Sequence, residues 1–405
     1  MRSYSIFTIL LLCLAILFID ILAFYWLQSV TQLIHSGLIR HAINIIFWVF
    51  TIGLITSILV LKIRLEHISR QRRQLLISSL YGLVVSSFIP KLIFVIVISV
   101  LHFSNYIFSP KESLIIVPLV GLFSGFFPFF VILYAIFRSR YRFKVHHIKI
   151  NFEDLPVSFN HLRIVHISDT HLGSFNARYH IFDRAVKMIN QLNADLILFT
   201  GDLVNNYSSE LDGWRDTFKQ LFAKKGKYSV LGNHDYGDYS QWKSSSDKKE
   251  NFESIKKFHT QIGFRLLTNE SEIIKTGQDQ IAVIGVENWG NPPLKQYADL
   301  QKALVTVHDI RFKILLSHDP GHWQEEVLNN TNIALTLSGH THGMQAGISL
   351  WGKKWSPIKY RYKHWMGLYK VGQQYLYVNP GLGWLGFPGR LGMRPEITLI
   401  ELVKK

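Results

Sequence analysis

Four uninterrupted apolar stretches, each long enough to cross a bilayer as a helix, crowd the first third of this chain. They run over Ser5–Leu27, His41–Leu61, Leu75–Phe103 and Leu114–Phe137, where about 20 residues of helix suffice to span the hydrocarbon core. A segment in lipid must satisfy its backbone internally, so these stretches are predicted to be four transmembrane helices. The first is read as a span rather than a signal peptide. Its apolar core is too long, no small-residue cleavage site follows, and three more spans come after it.

The charges sharpen that reading. Residues 1–144 hold 13 Lys+Arg against 3 Asp+Glu, out of a net charge of +16 for the 405-residue chain. Few charges, nearly all positive and placed between spans, describe a membrane domain with basic loops and not a nucleic-acid binder. Lys62, Arg64, Arg70, Arg72 and Arg73 lie between spans two and three, and Arg138, Arg140, Arg142 and Lys144 follow span four. The other two loops carry Arg40 and Lys111 alone. Basic loops stay in the cytoplasm, so both ends of the four-span unit, and everything after Lys144, are expected there. Inside the spans, Asp20 and Lys91 are the charged residues, predicted to lie at similar depth and to pair, because an unpaired charge in hydrocarbon is costly.

From Val145 the texture changes, so the chain is divided into a membrane domain, 1–144, and a second domain, 145–405. Leu162–Ile167, Leu196–Thr200, Tyr228–Leu231, Phe312–Ser317 and Ile333–Leu337 are short, Ile/Val/Leu-rich runs expected as buried strands. Ile281–Val286, Tyr375–Val378 and Glu396–Leu402 add further strands, and Tyr179–Leu192 and Ser254–Ile262 are helix-like. Strands alternating with helices predict a layered α/β domain. The polar stretch Ser244–Glu250 is expected to be a solvated loop. One cysteine, Cys13, excludes a disulfide scaffold and an all-cysteine metal site.

The residues just past the ends of five of these strands carry the chemistry. In order they are Ser168-Asp169-Thr170-His171, Gly201-Asp202, Gly232-Asn233-His234-Asp235, His318-Asp319 and Ser338-Gly339-His340-Thr341-His342. A lone Asp after a strand is usually a helix cap and a lone His a surface residue, but five such motifs in succession are hard to explain that way. Ligands of open α/β sheets bind at the carboxyl ends of strands, where these side chains converge. Carboxylate, amide and imidazole without thiolate suit Mn, Fe or Zn. Seven such groups are too many for one ion and suit two sharing a bridging carboxylate, an arrangement built for in-line attack of water on a phosphoester. His234, in the same tight turn as Asn233, is placed to give a proton to the leaving oxygen.

The succession D-T-H, G-D, G-N-H-D, H and G-H-T-H resembles the calcineurin-like metallophosphoesterase superfamily, from about Leu162 to the C-terminus. The resemblance implies a four-layer αββα sandwich around two divalent metals, Mn first, with Fe or Zn as alternatives. It implies that Asp169, His171, Asp202 and His342 hold one metal. Asp202, Asn233, His318 and His340 would hold the other, with Asp202 bridging. His234 then matches the proton donor and Asp235 the residue that orients it. Gly343-Met344-Gln345, Asn379-Pro380-Gly381-Leu382-Gly383 and Arg390-Leu391-Gly392-Met393-Arg394-Pro395-Glu396 resemble a membrane-associated bacterial branch of the family. That branch usually carries glycine where Met344 stands.

Between the last ligand and that tail, Trp351–Tyr369 interleaves Trp and Tyr with Lys353, Lys354, Lys359, Arg361 and Lys363. The pattern suits an interfacial anchor, a cap over an anionic substrate, or a plain edge hairpin. Lys353, Lys354, Arg361, Trp384 and Arg390 are the candidates for substrate or membrane contact. The expected function is dimetal hydrolysis of a phosphodiester or pyrophosphate on a small-molecule or lipid-linked substrate at the bilayer, with no nucleic-acid partner. A lipid-linked pyrophosphate such as UDP-2,3-diacylglucosamine is one alternative. A non-catalytic sensor or transporter of a phosphorylated ligand is the other.

Overall fold

The computed structural model describes residues 5–64, 67–68, 70–104, 110–290, 295–350 and 353–405. Packing divides the chain into two units, residues 2–138 with 386–389, and residues 139–385 with 390–405.

In the first unit four helices are long and apolar enough to cross a membrane. They are α1 (Ile6–Thr31), α2 (Gly37–Arg64), α3 (Arg70–Ser104) and α4 (Pro110–Phe137). Their outward faces are apolar: Phe7, Leu14, Phe18, Val49 and Phe127 are all exposed, which hydrocarbon tolerates and water does not. Two small cores hold the helices together. One joins Ile16, Leu54, Ile58 and Val84, the other Ala23, Val30, Phe94, Val95 and Ile98. The ion pair expected from the sequence is present. Lys91 Nζ donates to Asp20 Oδ1 over 2.8 Å, and Thr51 Oγ1 of α2 donates to Asp20 Oδ2. One carboxylate thereby ties α1 to both α2 and α3.

The second unit contains β1 (Lys144–Phe152), β2 (Leu162–Ile167), α5 (Ile181–Gln191), β3 (Leu196–Phe199), α6 (Arg215–Lys219), β4 (Gly226–Ser229), α7 (Ser245–Gln261), β5 (Arg265–Leu266), β6 (Glu270–Thr276) and β7 (Asp279–Gly285). It continues through α8 (Leu300–Leu304), β8 (Lys313–Leu316), β9 (Leu335–Ser338), the hairpin β10 (Ile348–Leu350) and β11 (Lys353–Trp355), β12 (Gly367–Val371), β13 (Gln374–Val378) and β14 (Glu396–Lys404). Two six-stranded sheets form, ordered β1-β14-β2-β3-β4-β5 and β12-β13-β9-β8-β7-β6. Parallel pairing joins β2 to β3 to β4 in one sheet and β7 to β8 to β9 to β13 in the other.

The strand pleat explains the layers, since successive side chains point to opposite faces. Ile164, Leu196, Leu198 and Ile400 meet Val283, Ile314, Leu316 and Leu337 between the sheets. The alternate residues Val165, Ile167, Ile197 and Phe199 face outward, under Phe182 and Ile189 of α5 and Ile255 and Phe258 of α7. On the far side Ala282, Ile284, Leu315 and Leu376 pack with Leu300 and Ala303 of α8 and with Trp323. This is the αββα sandwich. Both faces of each central strand are buried, so these strands read as continuous apolar runs.

Two local readings are corrected. Ser244–Glu250 is not a loop: the Ser244 hydroxyl caps α7 by accepting from Asp247 N over 3.0 Å, and most of the stretch forms the helix's first turns. The capping signal outweighs the polar composition. The third strand ends at Ser229, before Val230 and Leu231, because these two buried residues already lead into the turn that carries Asn233.

Candidate metal centre

Every ligand candidate follows the last residue of a parallel strand by a few positions: β2, β3, β4, β8 and β9 deliver them to one edge of the sandwich. The turns are tight. Asp169, His171, Asp202, His340 and His342 all have positive φ, between 44° and 71°, a region that L-residues adopt at a cost of about 1–2 kcal/mol. Such strain gathers where a site over-determines the backbone. Two motif glycines are required by close approach. A Cβ on Gly232 would lie 2.2 Å from Asp202 Oδ1, and one on Gly339 would lie 2.2 Å from Asp169 Oδ2.

The side chains form two groups that share Asp202. In the first, one ligand atom from each of Asp169, His171, Asp202 and His342 lies within 4.8 Å of the others, and all four residues are buried. His171 Nε2 and His342 Nε2 are 3.0 Å apart, and His342 Nε2 lies 3.3 Å from Asp169 Oδ1. In the second, Asn233 Oδ1 lies 3.1 Å from His318 Nε2 and 2.8 Å from His340 Nδ1. Asp202 Oδ2 lies 3.2 Å from His318 Nε2 and 3.5 Å from His171 Nε2, between the two groups. All seven candidates therefore meet in one crevice.

Electrostatics suit this donor set to cations. Burial drives His171 down to about 3 and His342 well below its ordinary value, so both present neutral lone pairs. Burial raises the Asp169 carboxyl to about 7. Burial opposes ionisation of Asp202 too, but the neighbouring rings of His318, His234 and His171 outweigh it and hold the carboxylate ionised. On His318 burial disfavours the charge, yet Asp202 prevails and lifts it to about 10. The Thr200 carbonyl accepts from His318 Nδ1 over 2.7 Å, which fixes the ring and turns Nε2 toward the centre. Buried carboxylates and imidazoles this close together need a cation to offset their desolvation. The residues present therefore fit two divalent ions held through Asp202.

His234 points the same way. Its backbone N–H donates to Asp202 Oδ1 over 2.9 Å. Its Nδ1 bonds the Asn205 carbonyl oxygen at 2.8 Å, so a proton-donor role would fall to Nε2. The expectation that Asp235 orients this ring is corrected. Asp235 instead accepts backbone N–H groups of Asp202, Leu203, Val204 and Gly232. It ties the β3 loop to the β4 loop, and Asn205 orients the histidine.

The C-terminal motif braces the first loop. Leu382 N donates to Ser168 O over 2.9 Å, and Gly383 N donates to Asp169 O over 2.7 Å. Arg390 is a correction: it is fully buried, with its guanidinium donating to the Gly383, Pro380 and Met393 carbonyls, and so does not meet a substrate at an open rim. Trp384 is buried as well, its ring against that of Phe175. Lys354 and Arg361 are exposed, with Arg361 5.9 Å from the ring of Tyr362. The Lys353 side chain lies outside the described residues.

Two site residues escaped the sequence reading. Tyr362 Oη lies 2.8 Å from His340 Nε2. Tyr239 Oη accepts from Asn233 Nδ2 over 2.9 Å, and its ring centroid lies 4.6 Å from that of His234. Tyr239 belongs to no spaced motif, and Tyr362 lies within the aromatic-basic stretch Trp351–Tyr369, where nothing in the pattern set it apart from its neighbours. Met344 takes φ 55°, a left-handed conformation that glycine adopts without steric cost.

An αββα sandwich whose strand ends present two donor groups sharing one carboxylate defines the dimetal metallophosphoesterase class. The family model described as calcineurin-like phosphoesterase matches residues 162–344, and one described as probable calcineurin-like phosphoesterase, transmembrane domain, matches residues 1–140. The chain belongs to the calcineurin-like phosphoesterase family. It is 32% identical over 263 residues to the transmembrane protein with metallophosphoesterase domain of Danio rerio, a match covering 64% of this chain and 57% of that protein. It is 30% identical over 255 residues to the uncharacterized metallophosphoesterase YkuE of Bacillus subtilis, covering 61% and 81%. With the phosphodiesterase YaeI of Escherichia coli it shares 28% identity over 248 residues, covering 60% and 82%. The chain thus spans little more than half the length of the Danio relative.

Proposed function

We propose that this chain is a membrane-bound hydrolase of phosphodiesters or pyrophosphates. The observation that carries the reading is Asp202, one buried carboxylate oxygen set between His171 and His318 at 3.5 and 3.2 Å. Asp169, His171, Asp202 and His342 would hold one divalent ion, and Asp202, Asn233, His318 and His340 the other. Manganese is the first choice, with iron or zinc as alternatives. Such a pair supplies Lewis acidity at the phosphoryl oxygens and lowers the pKa of water.

The chain's own residues do the rest. Asp202 fixes the spacing of the two groups. His234, anchored through Nδ1 on Asn205, holds a proton at Nε2 for the leaving oxygen. Tyr239, packed on that ring, limits its rotation, and Tyr362 holds His340. Exposed Arg361, next to the Tyr362 that meets His340, would favour an anion there, and we assign it, with Lys353 and Lys354, to substrate or bilayer contact. The name of the Escherichia coli relative, a phosphodiesterase, favours a diester. The basic loops beside the spans favour a cytoplasmic catalytic unit.

The test uses the full chain in detergent, assayed with bis(p-nitrophenyl) phosphate and with a UDP-linked diacyl amino sugar, with Mn²⁺ and with chelator. Metal-dependent cleavage of the diester is expected. Preference for the UDP-linked lipid would move the substrate class to lipid-linked pyrophosphates. Tight binding of both without cleavage, in protein carrying two metals, would overturn hydrolysis in favour of a sensor or carrier. A reporter fused after Lys405 checks the topology: activity of a periplasm-dependent reporter would refute the cytoplasmic placement.

A further inference from the structure

The membrane unit holds a cavity of about 540 Å³ that the proposed hydrolysis does not use. It lies between α2 and α4, lined by Phe47 and Phe50 on one side, Phe126 and Phe129 on the other, and α3 along its floor. Its size falls within the usual range of small-ligand sites. Along α3 it runs from Leu83 to Phe94, about 16 Å at 1.5 Å per residue. Nearly all of the wall is apolar, so water does not fill it.

Three polar side chains interrupt that wall, of which Ser86 is satisfied, its hydroxyl donating to the Gly82 carbonyl. Ser87 is 8% exposed and lines the cavity, and its buried Oγ has no hydrogen-bond partner among the described residues. A buried hydroxyl left in that state is expensive, roughly 1–3 kcal/mol. Lys91, one helical turn further on, also lines the cavity. Its ammonium has three donors, and one goes to Asp20 at 2.8 Å. The Phe47 and Phe50 rings lie 4.6 and 5.5 Å from Nζ. Donor capacity therefore remains on the α3 wall of a largely apolar slot.

We propose that this cavity is a binding site for one ester-linked bilayer lipid, with an acyl chain in the slot and an ester carbonyl accepting from Ser87 and Lys91. Charge decides between an ester and an anionic group. Asp20 already neutralises Lys91, so a second anion would leave an unpaired negative charge in hydrocarbon, whereas a neutral carbonyl adds none.

The experiment is native mass spectrometry of the full chain, loaded in detergent with dipalmitoyl phosphatidylglycerol or with its diether analogue of the same head group and chain length. One diester lipid per chain is expected to survive delipidation, with the diether retained at least about fivefold less, since even one lost hydrogen bond is worth that factor. Ser87→Phe, which fills the slot, should abolish retention. Ser57→Phe on the exposed face of α2 should leave it intact. Ser87→Ala, the mildest change, should bring the diester and diether toward equal retention. Equal retention of the two lipids by the parent, or full retention by Ser87→Phe, would overturn the proposal.

Discussion

In the membrane unit a single carboxylate, Asp20, is buried with one cation and one hydroxyl on three neighbouring helices. In the sandwich unit seven metal-ligand candidates converge on one crevice, five of them on residues with positive φ. Among the described residues, every non-glycine position with positive φ lies in the sandwich unit. The difference follows from what surrounds each unit. Lipid offers no partner to a freed backbone group, so a membrane helix can bury polarity only through side chains reaching across to a neighbour. A sandwich can let its backbone turn sharply at the strand ends, and the seven groups can share the charge of two ions. One unit compensates a buried charge pairwise; the other would do so collectively, through the two metals proposed for it.

The largest break in that comparison should come from the shared carboxylate. Asp202→Asn keeps the shape but removes the negative charge that both donor groups share. Turnover should fall by about 10³-fold or more, the several kcal/mol that paired ions supply. Elemental analysis should show fewer than two metals per chain. Two metals and normal turnover in this variant would mean that the groups are independent.

A smaller effect is expected at His234, which touches the crevice without belonging to either donor group. His234→Ala should keep both metals and slow hydrolysis by about 10²–10⁴-fold for poor leaving groups. The loss should shrink for nitrophenol, which leaves without a proton. Equal losses for both kinds of substrate would remove His234 from the proton-donor role. Asn205 offers no parallel test, because its contact to His234 is a backbone carbonyl.

That contact also marks where the sequence stopped being legible. The spans could be read because length and hydropathy alone decide them. The ligands could be read because each follows a buried strand in a recurring pattern. Asp20 and Lys91 could be paired because helical rise fixes depth. What could not be read were groups placed by backbone hydrogen bonds. Asp235 looked like the partner of its neighbour His234, yet its carboxylate serves four N–H groups of two loops. Arg390 looked like an exposed cation, yet it is spent on carbonyls of the turn that braces Asp169. Tyr239 and Tyr362 reach the site from loops whose path has no period.

On the membrane side, the pairwise rule is broken by single changes at Asp20 or Lys91. Asp20→Lys or Lys91→Asp should each cost about 2.5–3.5 kcal/mol, the insertion penalty of an unpaired charge, measured as loss of folded protein in membranes. The double swap should restore most of it. If the double variant is no better than the worse single one, Asp20 and Lys91 are not compensating each other, and the membrane unit tolerates isolated charges.

The smallest effect probes strain without touching charge. Met344 sits at φ 55°, is 55% exposed, and follows the ligand loop directly. Its side chain contributes little burial, while its backbone carries the left-handed cost. Met344→Gly should relieve that cost, less the extra freedom glycine has in the unfolded chain, for a net gain of about 1 kcal/mol. A unit of this size should then melt about 2–4 °C higher. The same replacement in a regular helix should have the opposite sign: Ala42→Gly, on the exposed surface of α2, should cost about 1 kcal/mol. Opposite shifts of similar size would show that the sandwich unit holds its ligand loop against backbone preference while the membrane unit follows it. A loss of stability in Met344→Gly would mean that the loop around His342 is relaxed, and that its left-handed turn is set by Gly343 alone.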